Sequence, residues 1–197
     1  MRLVLLVGWL LIPVVLVAIH YGPGQEQMVL DEVGQAVASA KAHVAAEEWA
    51  AAVEQFNRAL TLLPAERTEV SQRLRLERSK ARMHAKQLSV ANEELQTLVA
   101  ELKDDAKADK NLLAEARSAY ANSQYYLTWL MRLEGLTRDV WEPEIEAARQ
   151  TYRLLAEESH AAGDAVSAKK HREDLESSIR LARMDLSELQ GLPLPSQ

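Results

Sequence analysis

Cysteine is absent from the 197-residue chain. That excludes disulfides, thiolate metal sites and lipid attachment through a cysteine, but it is neutral on redox compartment. Turn formers are scarce, with seven glycines and six prolines, and several of these (Gly8, Gly22, Pro193, Pro195) stand near the ends. β-Branched runs are missing beyond the first 20 residues, so nothing reads as a strand. A basic excess is missing too: 23 Lys and Arg against 29 Asp and Glu leave a net charge of −6, which argues against general nucleic-acid binding. Signatures of catalysis are lacking as well. His20, His43, His84, His160 and His171 fall in no metal-ligand spacing, and there is no phosphate-cradling glycine loop and no nucleophile-elbow motif. No catalytic, cofactor-binding or metal-binding residue is therefore expected, nor a small-molecule substrate, and the chain does not read as an enzyme.

The first 22 residues hold one long apolar run. Leu3 to Ile19 reads LVLLVGWLLIPVVLVAI, with no charged side chain. As a helix it would span roughly 26 Å, close to the ~30 Å of a bilayer core. His20 and Tyr21 suit the interface, and Pro13 would kink such a helix without excluding it. The rival reading is a cleaved signal peptide, whose small-x-small cleavage pattern is poorly matched by Leu16 before Ala18 and by His20 before Gly22. The expectation is a membrane anchor through residues 3–19. Arg2 precedes the run and no Lys or Arg follows until Lys41, so the N-terminus is expected in the cytoplasm and residues 23–197 outside it, in the periplasm if the source is bacterial.

Beyond the anchor the composition is that of helices: Ala, Leu, Glu, Gln, Lys and Arg lose little rotamer freedom there. The expected fold class is all-α. The expected organisation is an anchor over 1–22, a short linker over 23–30, a helical domain over 31–190 and an extended tail over 191–197. The periodicity predicts seven helices, at about 26–46, 48–63, 65–87, 89–103, 108–134, 142–161 and 164–190. Pro64 cannot continue the second helix, Gly135 suits a C-terminal cap, Pro143 reads as the start of the sixth helix, and Gly163–Asp164 reads as a stop followed by an N-cap. Short connections make neighbours in sequence antiparallel hairpins, arranged as a bundle or as a solenoid.

Residues 33–64, VGQAVASAKAHVAAEEWAAAVEQFNRALTLLP, bear on that choice. Ala40, Ala52 and Ala59 are small where two helices must approach closely. Trp49, Phe56 and Leu60 are large on one face, and Pro64 ends the unit. The segment resembles a tetratricopeptide repeat. It departs from that pattern at Glu47, which stands where glycine is usual, and at His43, which replaces an aromatic. A weaker second unit carries Ser79, Met83, Leu88, Ala91, Leu95 and Leu98, and a third pair of helices carries Ala148, Tyr152 and Leu155. A generic alanine-rich hairpin is the bland alternative. The resemblance implies a short solenoid with a partner groove lined by the first helix of each pair. In the clearest repeat Val37, Lys41, Val44 and Ala45 match groove positions, and Val37 stands where a carboxylate clamp would need a basic residue.

Other surfaces carry weaker signals. The third helix is basic, with Arg75, Arg78 and Arg82 as a candidate surface for an acidic partner, against the plainer reading of solvated faces laced by pairs such as Glu69 with Arg73. Tyr120, Tyr125, Tyr126, Trp129, Trp141 and Tyr152 read first as core and second as a recognition surface. The apolar stripe Leu175, Ile179, Ala182, Leu186, Leu189 reads as a capping helix, with a coiled-coil homodimer as the alternative. The functional expectation is a membrane-anchored, monomeric scaffold for protein partners. A periplasmic chaperone or holdase and a structural coiled-coil tether are the alternatives.

Overall fold

The computed structural model describes residues 23–192. The apolar run 3–19 and residues 193–197 of the tail lie outside them. Among the described residues there is no strand, and no helix is long and apolar enough to cross a membrane. Eight helices follow one another: α1 Pro23–Ala45, α2 Trp49–Leu62, α3 Thr68–His84, α4 Leu88–Asp104, α5 Lys110–Leu133, α6 Arg138–Ala161, α7 Ala165–Arg183 and α8 Leu186–Gln190. The chain divides into two compact units at Ser71/Gln72, within α3.

The first unit contains the hairpin α1–α2. Its buried residues recur at helical spacing: Val33, Ala36 and Ala40 on α1, and Ala52, Val53, Phe56 and Ala59 on α2. Alanine dominates the list, and small side chains let two helix backbones approach. Leu60 and Trp49, read as large core positions, are only half-buried. α1 begins at Pro23, so the stretch 23–30 read as a linker is helical.

In the second unit α3 to α7 each pack on their sequence neighbours, and the short α8 packs back on α5. One cluster joins Leu76 and Met83 of α3, the leucine stripe Leu88, Leu95, Leu98 and Leu102 of α4, and Leu112, Ala116 and Tyr126 of α5. Another gathers Trp129, Trp141, Ile145, Leu181, Met184 and Leu189 around the far ends of α5 to α8. Between them Ala121 and Ala148 bring α5 and α6 together over Tyr152.

The turns share one device. α1, α3, α5 and α6 each end in a residue with positive φ: Glu47 at 58°, Lys86 at 63°, Gly135 at 77° and Gly163 at 77°. The next residue donates its N–H back to the last turn: Glu48 to His43 O, Gln87 to Arg82 O, Leu136 to Met131 O and Asp164 to Ser159 O, at 2.8–2.9 Å. This is the Schellman closure. Gly135 and Gly163 enter it without Cβ strain, whereas Glu47 and Lys86 carry that strain.

Two boundaries differ from the sequence expectation. Pro143 lies inside α6, five residues after its start at Arg138. One intrahelical hydrogen bond is lost there, while burial of Trp141 and Ile145 holds the first turns in place. The segment 164–190 is two helices, broken at Met184, whose ψ is 143°. The break is met by a side chain from elsewhere in the fold. Arg132 of α5 donates through Nη1 to Leu181 O and through Nη2 to Met184 O, and its guanidinium lies 4.8 Å from the centre of the Trp141 ring. It thereby satisfies carbonyls that the end of α7 leaves open. Leu189 of α8 then folds into the Trp129–Trp141 cluster, so the C-terminal segment caps that core.

Candidate partner-binding cleft

The alternating helices α3, α5 and α7 leave a cleft of about 350 Å³ in the second unit. Helical spacing places its walls. Lys80, Met83 and His84 come from consecutive turns of α3. Glu115, Ser118, Ala119 and Asn122 form a stripe at intervals of three, one and three along α5, and Lys170 and Asp174 stand one turn apart on α7. The α5 wall is low because Ser118 and Ala119 are small. Tyr152 of α6 supplies the floor and is only 3% exposed.

The charges in the cleft are unequally compensated. Lys80 Nζ lies 2.8 Å from Glu77 Oε1 and 3.6 Å from Glu115 Oε2. Among the described residues Asp174 has only His171 Nδ1, at 3.8 Å, as an ion-pair neighbour, and that is beyond hydrogen-bond reach. Burial pushes the Asp174 carboxyl above its usual range, although Lys170 and His171 act the other way. Burial also lowers His171, whose Nδ1 is enclosed without a hydrogen-bond partner. The Tyr152 phenol is held far above its usual range by burial and by the nearby Asp174 charge, so it stays protonated. Such a site offers hydrogen bonds and two carboxylates, Glu115 beside Lys80 and Asp174 beside His171.

Met83, His84 and Tyr152, noted in the sequence, line the cleft, whereas the candidate groove and the candidate basic surface fall elsewhere. Val37 and Val44 are half-buried and Lys41 and Ala45 exposed, all on α1 of the first unit. Arg75, Arg78 and Arg82 are turned toward α4. Arg75 grips Glu101 with both terminal nitrogens, at 2.5 and 3.1 Å. Arg78 Nη2 donates to Glu94 Oε1 at 2.8 Å, Arg82 pairs with the same oxygen, and Ser79 Oγ donates to Glu94 Oε2 at 3.0 Å. The basic helix and its acidic neighbour thus neutralise each other across an interhelix seam, which Arg73 extends to Asp109. The aromatic residues divide likewise. Tyr126, Trp129, Trp141 and Tyr152 are buried, with Tyr125 set edge-on to Tyr126 at 5.6 Å, while Tyr120 and Tyr125 are half-buried.

Sequence reading missed the cleft. The legible signal was the α5 stripe Glu115, Ser118, Ala119, Asn122, small and polar where a core helix would carry leucine. Lys170 and Asp174 join it only through the fold. No protein-family model, curated protein or solved structure matches the chain. Function therefore rests on the geometry. Among the described residues no group of three or more His, Asp or Glu is placed to hold a metal ion.

Proposed function

We propose that the chain is a protein-interaction scaffold of tetratricopeptide-like hairpins, tethered to a membrane by residues 3–19, with its helical part on the extracytoplasmic side. The observation that carries this reading is the cleft itself. The first helices of successive hairpins, α3, α5 and α7, each give it one stripe of side chains, and second helices add only Tyr152. Polar groups converging from separate elements suit recognition of a defined partner. A holdase would instead need a broad apolar face for many clients, and the mixed charge of the cleft favours the scaffold. The scaffold reading takes the protein as a monomer; within the C-terminal stripe Leu189 is buried in the molecule, Leu175, Ile179 and Ala182 are half-buried, and Leu186 is exposed.

The test is crosslinking of the full-length protein in intact cells, followed by affinity capture and mass spectrometry. A few proteins recovered in fixed ratio are expected. A broad spread of unrelated clients would replace the scaffold with a holdase, and self-crosslinks alone would replace it with a structural dimer.

A further inference from the structure

We infer that Asp174, Tyr152 and Asn122 form a subsite for one basic side chain, Lys or Arg, of an extended partner segment lying in the α3–α5–α7 cleft. The inference rests on the scaffold reading and adds the chemistry of the partner.

Three observations converge on a cation. First, the Asp174 side chain is 34% exposed, and its ion-pair neighbour His171 is only 11% exposed and stands too far away to donate. With His171 disfavouring its own charge, that carboxylate sits partly dehydrated without a hydrogen-bond donor. Lys170 is exposed at the rim, where water already satisfies an ammonium. Second, the other cation facing the cleft from α3, Lys80, is already held by Glu77 and Glu115. The Asp174 carboxylate, by contrast, has no donor in hydrogen-bond contact, and Lys170 acts on it only at a distance. Third, Tyr152 is buried to within 3% yet lines the cleft, and no hydrogen bond among the described residues uses its hydroxyl. Its ring can flank an alkyl stem and its oxygen can accept from an ammonium or guanidinium.

The neighbouring wall suits a polypeptide around that side chain. The Asn122 amide is half-buried, makes no hydrogen bond among the described residues, and offers both donors and an acceptor to a peptide group whatever its sequence. Small Ser118 and Ala119 leave room for a backbone to pass. A volume of about 350 Å³ lies at the low end for ligand pockets (roughly 300–1,000 Å³), enough for one anchored side chain and its flanking peptide.

The experiment uses purified full-length protein in detergent, panned against a displayed library of random dodecapeptides. Lys or Arg should be enriched at one register. For the best selected peptide, synthesised and titrated by calorimetry, Asp174→Asn should weaken binding about tenfold or more, the scale of losing a charge-assisted hydrogen bond. Tyr152→Phe, which keeps the ring, should weaken it several-fold. Lys170→Gln should leave affinity unchanged or raise it, because Lys170 competes for the same carboxylate; a merely structural role for Asp174 gives no such asymmetry. Thermal melts of each variant separate lost binding from lost fold. Enrichment of acidic residues, loss of binding in Lys170→Gln, or indifference to a folded Asp174→Asn each overturns the inference. So does failure to enrich any peptide. That last result leaves the cellular capture to decide the scaffold reading separately, since a scaffold can also grip a folded surface.

Discussion

Lys86 occupies the left-handed region at φ 63° and closes the turn between α3 and α4. An L-residue there is strained by about 1–2 kcal/mol because its Cβ crowds the following carbonyl. Replacing it with glycine removes that strain but widens the unfolded ensemble, a cost of about 0.4–1 kcal/mol. The net expectation for Lys86→Gly is a gain of about 0.5–1 kcal/mol, or roughly 1–4 °C in the melting midpoint for a domain of this size. The side chain confuses little, since Lys86 is exposed and makes no hydrogen bond or ion pair among the described residues. Lys86→Ala is the control, because it removes the charge and keeps the strained Cβ, and its midpoint should stay near the parent's. Gly163→Ala is the reverse experiment. A Cβ there meets nothing within 4 Å, so its expected loss of about 1 kcal/mol is conformational alone. The assay is thermal unfolding followed by circular dichroism at 222 nm. If Lys86→Gly destabilises while Lys86→Ala does not, the left-handed turn is wrong and the reasoning fails.

Other consequences follow from the same structure. Glu94→Ala removes an acceptor shared by Arg78, Arg82 and Ser79, all partly or fully buried, and should cost about 2 kcal/mol in urea unfolding; a cost below about 0.5 kcal/mol would make the seam ornamental. Arg132→Lys keeps the charge but cannot span Leu181 O and Met184 O, and a loss of about 2 kcal/mol with earlier proteolysis at the α7–α8 junction is expected. The His171 imidazole has a folded pKa below its ordinary value, so the unfolded chain takes the proton first as pH falls. Its contribution is complete above about pH 6.5 and is lost as pH drops through the folded value. Melts should be flat from pH 8 to about pH 6.5 and fall on further acidification, and His171→Gln should flatten that fall; an unchanged slope below about pH 6.5 would remove His171 from that role. Asp174 has the opposite sign, because a raised carboxyl pKa favours the folded state as pH falls. Asp174→Asn should therefore melt no lower than the parent at neutral pH, and a lower midpoint would show that the carboxylate is structurally required.

The helical content was legible because its causes are local. Pro64, Gly135 and Gly163 punctuate the chain where backbone chemistry demands it, and the small–large alternation of Ala40, Ala52 and Phe56 appears as burial. Glu47 shows the limit of reading turns by residue type. Glycine is the usual choice for its conformation, yet glutamate adopts φ 58° and the Schellman bonds form around it. The break at Met184 is marked locally only by Asp185, which starts the next helix, while the carbonyls it leaves open are met by Arg132, 52 positions earlier in the chain. The basic face of α3 misled for a related reason. A charge run reads as a surface until its partners are placed, and here they stand on α4, with Glu94 16 positions from Arg78. The cleft was legible only in part. The small polar stripe of α5 is visible, but its convergence with Asp174 and Tyr152 depends on the stacking of three helices, which periodicity does not encode.

The most direct test of the central claim is site-specific photocrosslinking in living cells. A photoreactive amino acid is placed at position 118, in the cleft wall, and in a second strain at position 153, on the exposed side of α6. The account expects one or two discrete adducts from position 118 and none of them from position 153. Equal adducts from both positions, or none from position 118 while the protein is folded and present, would contradict the claim that this cleft is where a partner is held.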